Sequence, residues 1–115
     1  MFKKDMQISL LLDFYGDILS ERKRELTGLY YNDDLSLSEI AEISGISRQG
    51  VRDAVKKSEA ELLDLEAKLG LAGRYSLLRS QIADISARLK DIEAHDSIIA
   101  KKLSDISEEL SELNI

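Results

Sequence analysis

Residues 36–62, SLSEIAEISGISRQGVRDAVKKSEAEL, decide the fold. Ser36 and Glu39 have capping-box spacing: the serine hydroxyl accepts from the amide three residues on, and the glutamate reaches back to the serine amide. The short helix they start turns Leu37, Ile40, Ala41 and Ile43 inward. Gly45 can take the left-handed conformation that ends a helix without a Cβ penalty. Ser47 caps a second helix, with Val51, Ala54 and Val55 on its inner face. A capped short helix, a glycine turn and a second helix that starts on basic and amide side chains form the helix-turn-helix plan.

Upstream, Ile8, Leu11, Leu12, Tyr15, Ile18 and Leu19 recur at three- and four-residue spacing and predict one amphipathic helix. Ser20 caps another helix running through Leu26, Leu29 and Tyr30, and Asn32-Asp33-Asp34 ends it. Downstream, the helix begun at Ser47 continues past Leu62 and Leu65 to Leu69, where Gly70 and Gly73 punctuate the chain. Residues 1–70 are therefore read as a helix-turn-helix domain and 71–115 as a coiled-coil dimerisation helix. The chain has no proline to interrupt a helix and no cysteine for a disulfide or thiolate metal site.

From Leu71 the apolar period changes from 3.6 to 3.5. Tyr75, Ile82, Leu89, Asp96, Leu103 and Leu110 fall at position a. Leu71, Leu78, Ile85, Ile92, Ile99, Ile106 and Leu113 fall at d. This pattern is a coiled-coil signal, broken only by Asp96. As one helix, 71–113 would span roughly 65 Å at 1.5 Å per residue, too long a seam for a 70-residue head to cover. Pairing with a second chain is the expectation, as a homodimer with higher oligomers open. Leu78, Ile82, Ile85, Leu89, Ile92, Ile99, Leu103, Ile106 and Leu110 would form the contact. Flanking charges do not fix the orientation: a parallel register sets Arg88 against Glu93 but Arg74 against Arg79. The competing arrangement is a hairpin within the chain, hinged at His95-Asp96-Ser97 with Asp96 as a cap. Either way the chain reads as all-α: a helix-turn-helix bundle with a long C-terminal helix.

The candidate nucleic-acid-binding residues are Ser47, Arg48, Gln49, Arg52, Lys56 and Lys57. Arg48, Gln49, Arg52 and Lys56 leave the apolar face at helical spacing; arginine can pair with guanine and glutamine with adenine, while Lys56 and Lys57 suit phosphates. Against this stands the charge. The 115 residues carry a net −6, and residues 1–70 hold ten Lys and Arg against fourteen Asp and Glu. Indiscriminate binding to nucleic acid or anionic membranes is thereby disfavoured. Segment 47–57 alone is positive, with four basic residues against Asp53. Gly50, inside the first turn of the second helix, should soften it.

No phosphate loop, metal signature or nucleophile–base set is present, so no enzyme activity, cofactor, metal or small-molecule substrate is expected. His95, the single histidine, reads as solvated. The opening apolar stretch is too short to span a membrane and lacks a cleavage site, which makes a soluble cytoplasmic protein the expectation.

Ser36-Leu37, Glu39-Ile40-Ala41, Gly45-Ile46-Ser47-Arg48-Gln49 and Val51-Arg52 resemble region 4 of bacterial sigma factors, which reads the promoter −35 element. A closer resemblance is to the YlxM family, small bacterial proteins with a sigma-region-4-like head. It takes in Ile8 to Tyr15, Leu29-Tyr30-Tyr31 with Asp33-Asp34, and the turn from Ser47 to Val51, and it extends to about Leu69. The resemblance implies a DNA-binding regulator associated with the signal recognition particle and its GTPase. The alternative is an adaptor for protein or RNA of that particle, without sequence-specific DNA binding.

Overall fold

The computed structural model describes residues 4–93 and 97–113. The described residues form α-helices α1 (Met6–Tyr15), α2 (Glu21–Tyr31), α3 (Leu37–Ser44), α4 (Arg48–Leu69), α5 (Leu71–Glu93) and α6 (Ser97–Glu112), with a 3-10 turn at Gly16–Ile18. The chain separates into two compact units, Met1–Ala72 and Gly73–Ile115.

In the first unit, local capping sets the helix starts. Asp5 accepts from the Gln7 amide at 3.0 Å to begin α1, and Ser20 accepts from the Lys23 amide at 3.3 Å to begin α2. α1 turns Ile8, Leu11, Leu12 and Tyr15 inward. The regular helix stops at Tyr15, earlier than the apolar spacing predicts. The tighter 3-10 turn breaks the phase, so Ile18 is 56% exposed whereas Leu19 is buried. α2 buries Leu26, Thr27, Tyr30 and Tyr31.

α4 is the element on which α1, α2 and α3 all pack. Its Val51, Val55, Ser58 and Leu62 recur at three- and four-residue spacing and are fully buried. The expected inward row of α3 holds at Leu37 and Ile40 but not at Ile43, which is 67% exposed. Ile43 lies about 110° around the helix from the stripe centred between Leu37, Ile40 and Ala41, out of reach of α4.

Three tyrosines tie the helices by their hydroxyls or rings. The Tyr15 hydroxyl donates to Glu66 Oε1 at 2.6 Å and accepts from the Leu71 amide at 3.0 Å. The Ala72 amide donates to the same Glu66 oxygen at 3.1 Å. Gly70, at φ 64°, ends α4, and α5 starts at the next residue. Two amides at the start of α5, without helical partners of their own, are thus satisfied by side chains from α1 and α4. Tyr31 donates to Glu59 and accepts from the Asp5 amide. Tyr30 meets Tyr31 edge to face at 5.2 Å between centroids.

In the second unit the expectation of one long helix is corrected. α5 and α6 meet: Ser107 Oγ donates to Glu93 Oε1 at 3.4 Å. Ser86, Lys90 and Glu93 line one groove with Ser104, Ser107 and Ser111. In a single straight helix Glu93 and Ser107 would stand roughly 21 Å apart, so the chain doubles back into an antiparallel hairpin. Heptad periodicity specifies a seam but not whether its partner is another chain or the same one. Tyr75, Ile82, Leu89, Leu103 and Leu110 are half-buried, while the d row stays exposed. His95 and Asp96, to which a hinge, a cap and a solvated histidine were assigned, lie outside the described residues.

Tyr15→Phe keeps the ring but leaves the Leu71 amide and the Glu66 carboxylate short of a partner. Thermal unfolding followed by circular dichroism should show a melting temperature several degrees below that of the parent chain. A second expectation concerns alkali. Burial, reinforced by Glu66 at Tyr15 and by Glu59 at Tyr31, raises the hydroxyls of Tyr15, Tyr30 and Tyr31 above the ordinary value of 10.0. A folded pKa above the unfolded one gives stability that is present below about pH 10 and lost as pH rises through the folded value. Alkaline titration should therefore show tyrosinate absorbance and loss of helix rising together, with Tyr31→Phe making the decline shallower.

Candidate nucleic-acid interface

The helix-turn-helix is built by α3, the turn at Gly45 and the amino half of α4. At α3 both halves of the capping box are present: the Glu39 amide donates to Ser36 Oγ and the Ser36 amide to Glu39 Oε1, each at 3.1 Å. These bonds, the backbone one foremost, hold the Glu39 carboxyl below its ordinary range. Gly45 takes φ 71°, and its amide donates to the Ala41 carbonyl. Ser47 Oγ accepts from the Gly50 amide at 3.0 Å to start α4. Of the candidate binding residues, Ser47 is thus engaged as a cap by its hydroxyl oxygen.

Burial of Val51, Val55, Ser58 and Leu62 fixes which side of α4 faces out. Arg48, Gln49, Arg52, Lys56 and Lys57 are all exposed on the remaining surface. At 100° per residue, Asp53 and Gln49 lie nearest the outward pole, Lys56 and Lys57 stand about 50° to either side of it, Arg52 about 90° away, and Arg48 at the edge of the buried stripe. Asp53 interrupts the cationic strip. It accepts from Gln49 Nε2 at 2.9 Å, so the amide proposed for base reading is held by a carboxylate one turn on. The α3 surface is acidic, with Glu39 and Glu42 exposed.

Gly50 has a steric reason beyond helix softness. A Cβ built there would stand 3.1 Å from the capping Ser47 Oγ and 3.7 Å from the Ile46 side chain. The residue accordingly sits where the cap closes over the first turn.

One cation was not singled out from the sequence. Lys4 joins Arg48, Tyr30, Asp34, Ser36 and Glu39 around an open concavity of about 330 Å³. Its ammonium lies 2.5 Å from Asp34 Oδ1 and 4.4 Å from the Tyr30 ring centroid. The hydrogen bond from Lys4 and its charge hold the Asp34 carboxyl below the usual range. Lys4 and Arg48 are 44 positions apart, and no local signal joins them. Asp34 itself adopts φ 54°, a left-handed turn that aspartate tolerates better than most residues.

A family model described as "Putative helix-turn-helix protein, YlxM / p13 like" (UPF0122) matches residues 2–106. A UPF0122 protein of Thermoanaerobacter sp. is 39% identical over 110 residues, which cover 94% of each chain. One from Geobacillus kaustophilus is 40% identical over 114 residues, covering 99% of this chain and 100% of that one. One from Symbiobacterium thermophilum is 48% identical over 73 residues, covering 63% of this chain and 68% of that one.

Gly45→Ala places a Cβ on a residue at φ 71°, which costs about 1–2 kcal/mol. Urea unfolding should report a loss of that size, with the slope against denaturant unchanged.

Proposed function

The chain belongs to the YlxM/p13-like family of helix-turn-helix proteins, and on that premise we propose that it is a non-catalytic, cytoplasmic DNA-binding regulator whose α4 enters the major groove. The observation that carries this reading is the division of α4 into two sides. One is locked into the core, and on the rest of its surface Arg48, Arg52, Lys56 and Lys57 are exposed. In helix-turn-helix proteins the amino end of the second helix contacts base edges. Arg48, Gln49 and Arg52 occupy that end. Lys56 and Lys57 lie a turn further on, where phosphate contact is the more natural role. The net negative charge of the head implies modest affinity, steeply weakened by salt.

A second reading is an adaptor for protein or RNA of the signal recognition particle, acting on its GTPase. It rests on the family resemblance, and the exposed carboxylates of Glu39, Glu42 and Asp53 beside the cationic strip favour it. These are poor neighbours for a phosphate backbone.

Titration of labelled duplex DNA at two salt concentrations separates the readings. Arg48→Ala with Arg52→Ala should lower affinity by about tenfold or more, and Lys56→Ala should reduce the salt slope by about one. Binding that is unchanged by all three substitutions contradicts the DNA reading. A change in GTP hydrolysis by the reconstituted particle and receptor, with no DNA binding, supports the second.

A further inference from the structure

The hairpin of α5 and α6 has two unlike faces. Where Glu93 meets Ser107, Ile82 and Leu89 of α5 and Leu103 and Leu110 of α6 are half-buried. One side of that contact is a polar groove lined by Ser86, Lys90, Glu93, Ser104, Ser107 and Ser111. The d positions lie about 60° around each helix from these a positions. Because the two helices run in opposite directions, both d rows turn to the same side. Leu78, Ile85 and Ile92 of α5 and Ile99, Ile106 and Leu113 of α6 therefore share one face, each between 39% and 53% exposed. Contiguous apolar surface of this kind on a soluble protein marks an interaction site.

We propose that this face docks the same face of a second copy of the chain, with α5 of each copy laid over α6 of the other. Charge selects the occupant and the pairing. The outer edge of the α5 row carries Arg74, Gln81 and Arg88, and that of the α6 row carries Lys102 and Glu109. Antiparallel stacking of α5 on α5 sets arginine against arginine, and like charges across such an edge are destabilising. A two-fold axis parallel to the helices lays α5 over the other α6 and preserves the levels found within the hairpin. Ser86 and Ser111 line the same groove there, two residues before Arg88 and two after Glu109. Arg88 then comes level with Glu109 of the second copy, an opposite-charge pair. Arg88 pairs with Asp84 at 3.5 Å, with both side chains more than two-thirds exposed. That contact is weak enough to yield. The face is self-complementary, as a two-fold contact requires, and the four helices close an apolar core that neither hairpin has alone.

Sedimentation velocity and light scattering on the full chain test this without reference to DNA. The expected mass is twice the 12.9 kDa of one chain. Ile85→Glu with Ile106→Glu should reduce it to a single chain while helical circular dichroism is retained, since both side chains are exposed in the lone hairpin. The chain has no cysteine, so introduced ones report the pairing. A mixture of Arg88→Cys and Glu109→Cys chains should oxidise to a mixed cross-linked dimer, and Arg88→Cys alone should give none. A parent mass other than two chains overturns the proposal. So does a double mass that survives the two isoleucine substitutions, or efficient cross-linking of Arg88→Cys to itself.

Discussion

The burial of one stripe of α4 is the constraint from which the head follows. Val51, Val55, Ser58 and Leu62 sit under α1, α2 and α3 with no exposed surface. Substituting a side chain in such a stripe leaves a cavity that its neighbours fill only in part. Fixing that stripe fixes the helix's rotation about its axis, and with it the direction of every other side chain on α4. The outward placement of Arg48, Arg52, Lys56 and Lys57 is a consequence of core packing. No interaction among those cations is needed to hold them there.

The carboxylates around this helix do different work according to position. Glu66 and Glu59 accept from tyrosine hydroxyls and bind α4 to α1 and α2. Glu39 is spent on the capping box of α3. Asp53 faces outward and takes the Gln49 amide. An acidic total charge thus conceals a division: several of the acids are structural, and segment 47–57, at the start of α4, is locally positive. Net charge is a statement about solubility and long-range attraction, not about a local contact.

Features set by neighbours in sequence were legible before the fold was known. Ser20, Ser36 with Glu39, Gly45, Ser47 and Gly70 all act at the helix ends their spacing implies. Tyr15, Tyr30, Val51 and Val55 were legible as core from periodicity; Ser58, a polar residue buried on the same stripe, was not. What escaped has physical causes. Ile18 is turned out by a 3-10 turn that periodicity does not encode. Ile43 is apolar but off the phase of its own stripe. The heptads beyond Gly70 marked an apolar seam, yet a seam is satisfied equally by another chain or by the same chain returning. The meeting of Lys4 with Arg48 depends on how α1 and the α2–α3 loop pack, which no local pattern carries. Candidate binding residues were legible as a face of a helix; the carboxylate that holds Gln49 was visible at i, i+4 spacing but its bond was not foreseen.

Binding of DNA by this chain would depend on the outward side of α4. Its most direct test is backbone-amide chemical-shift mapping of the full chain as duplex DNA is added. Shifts concentrated in residues 45–57, with the buried stripe at Val51 and Val55 moving least among them, are the predicted result. Shifts confined to other helices, or none at DNA concentrations that shift a known helix-turn-helix protein, would contradict it.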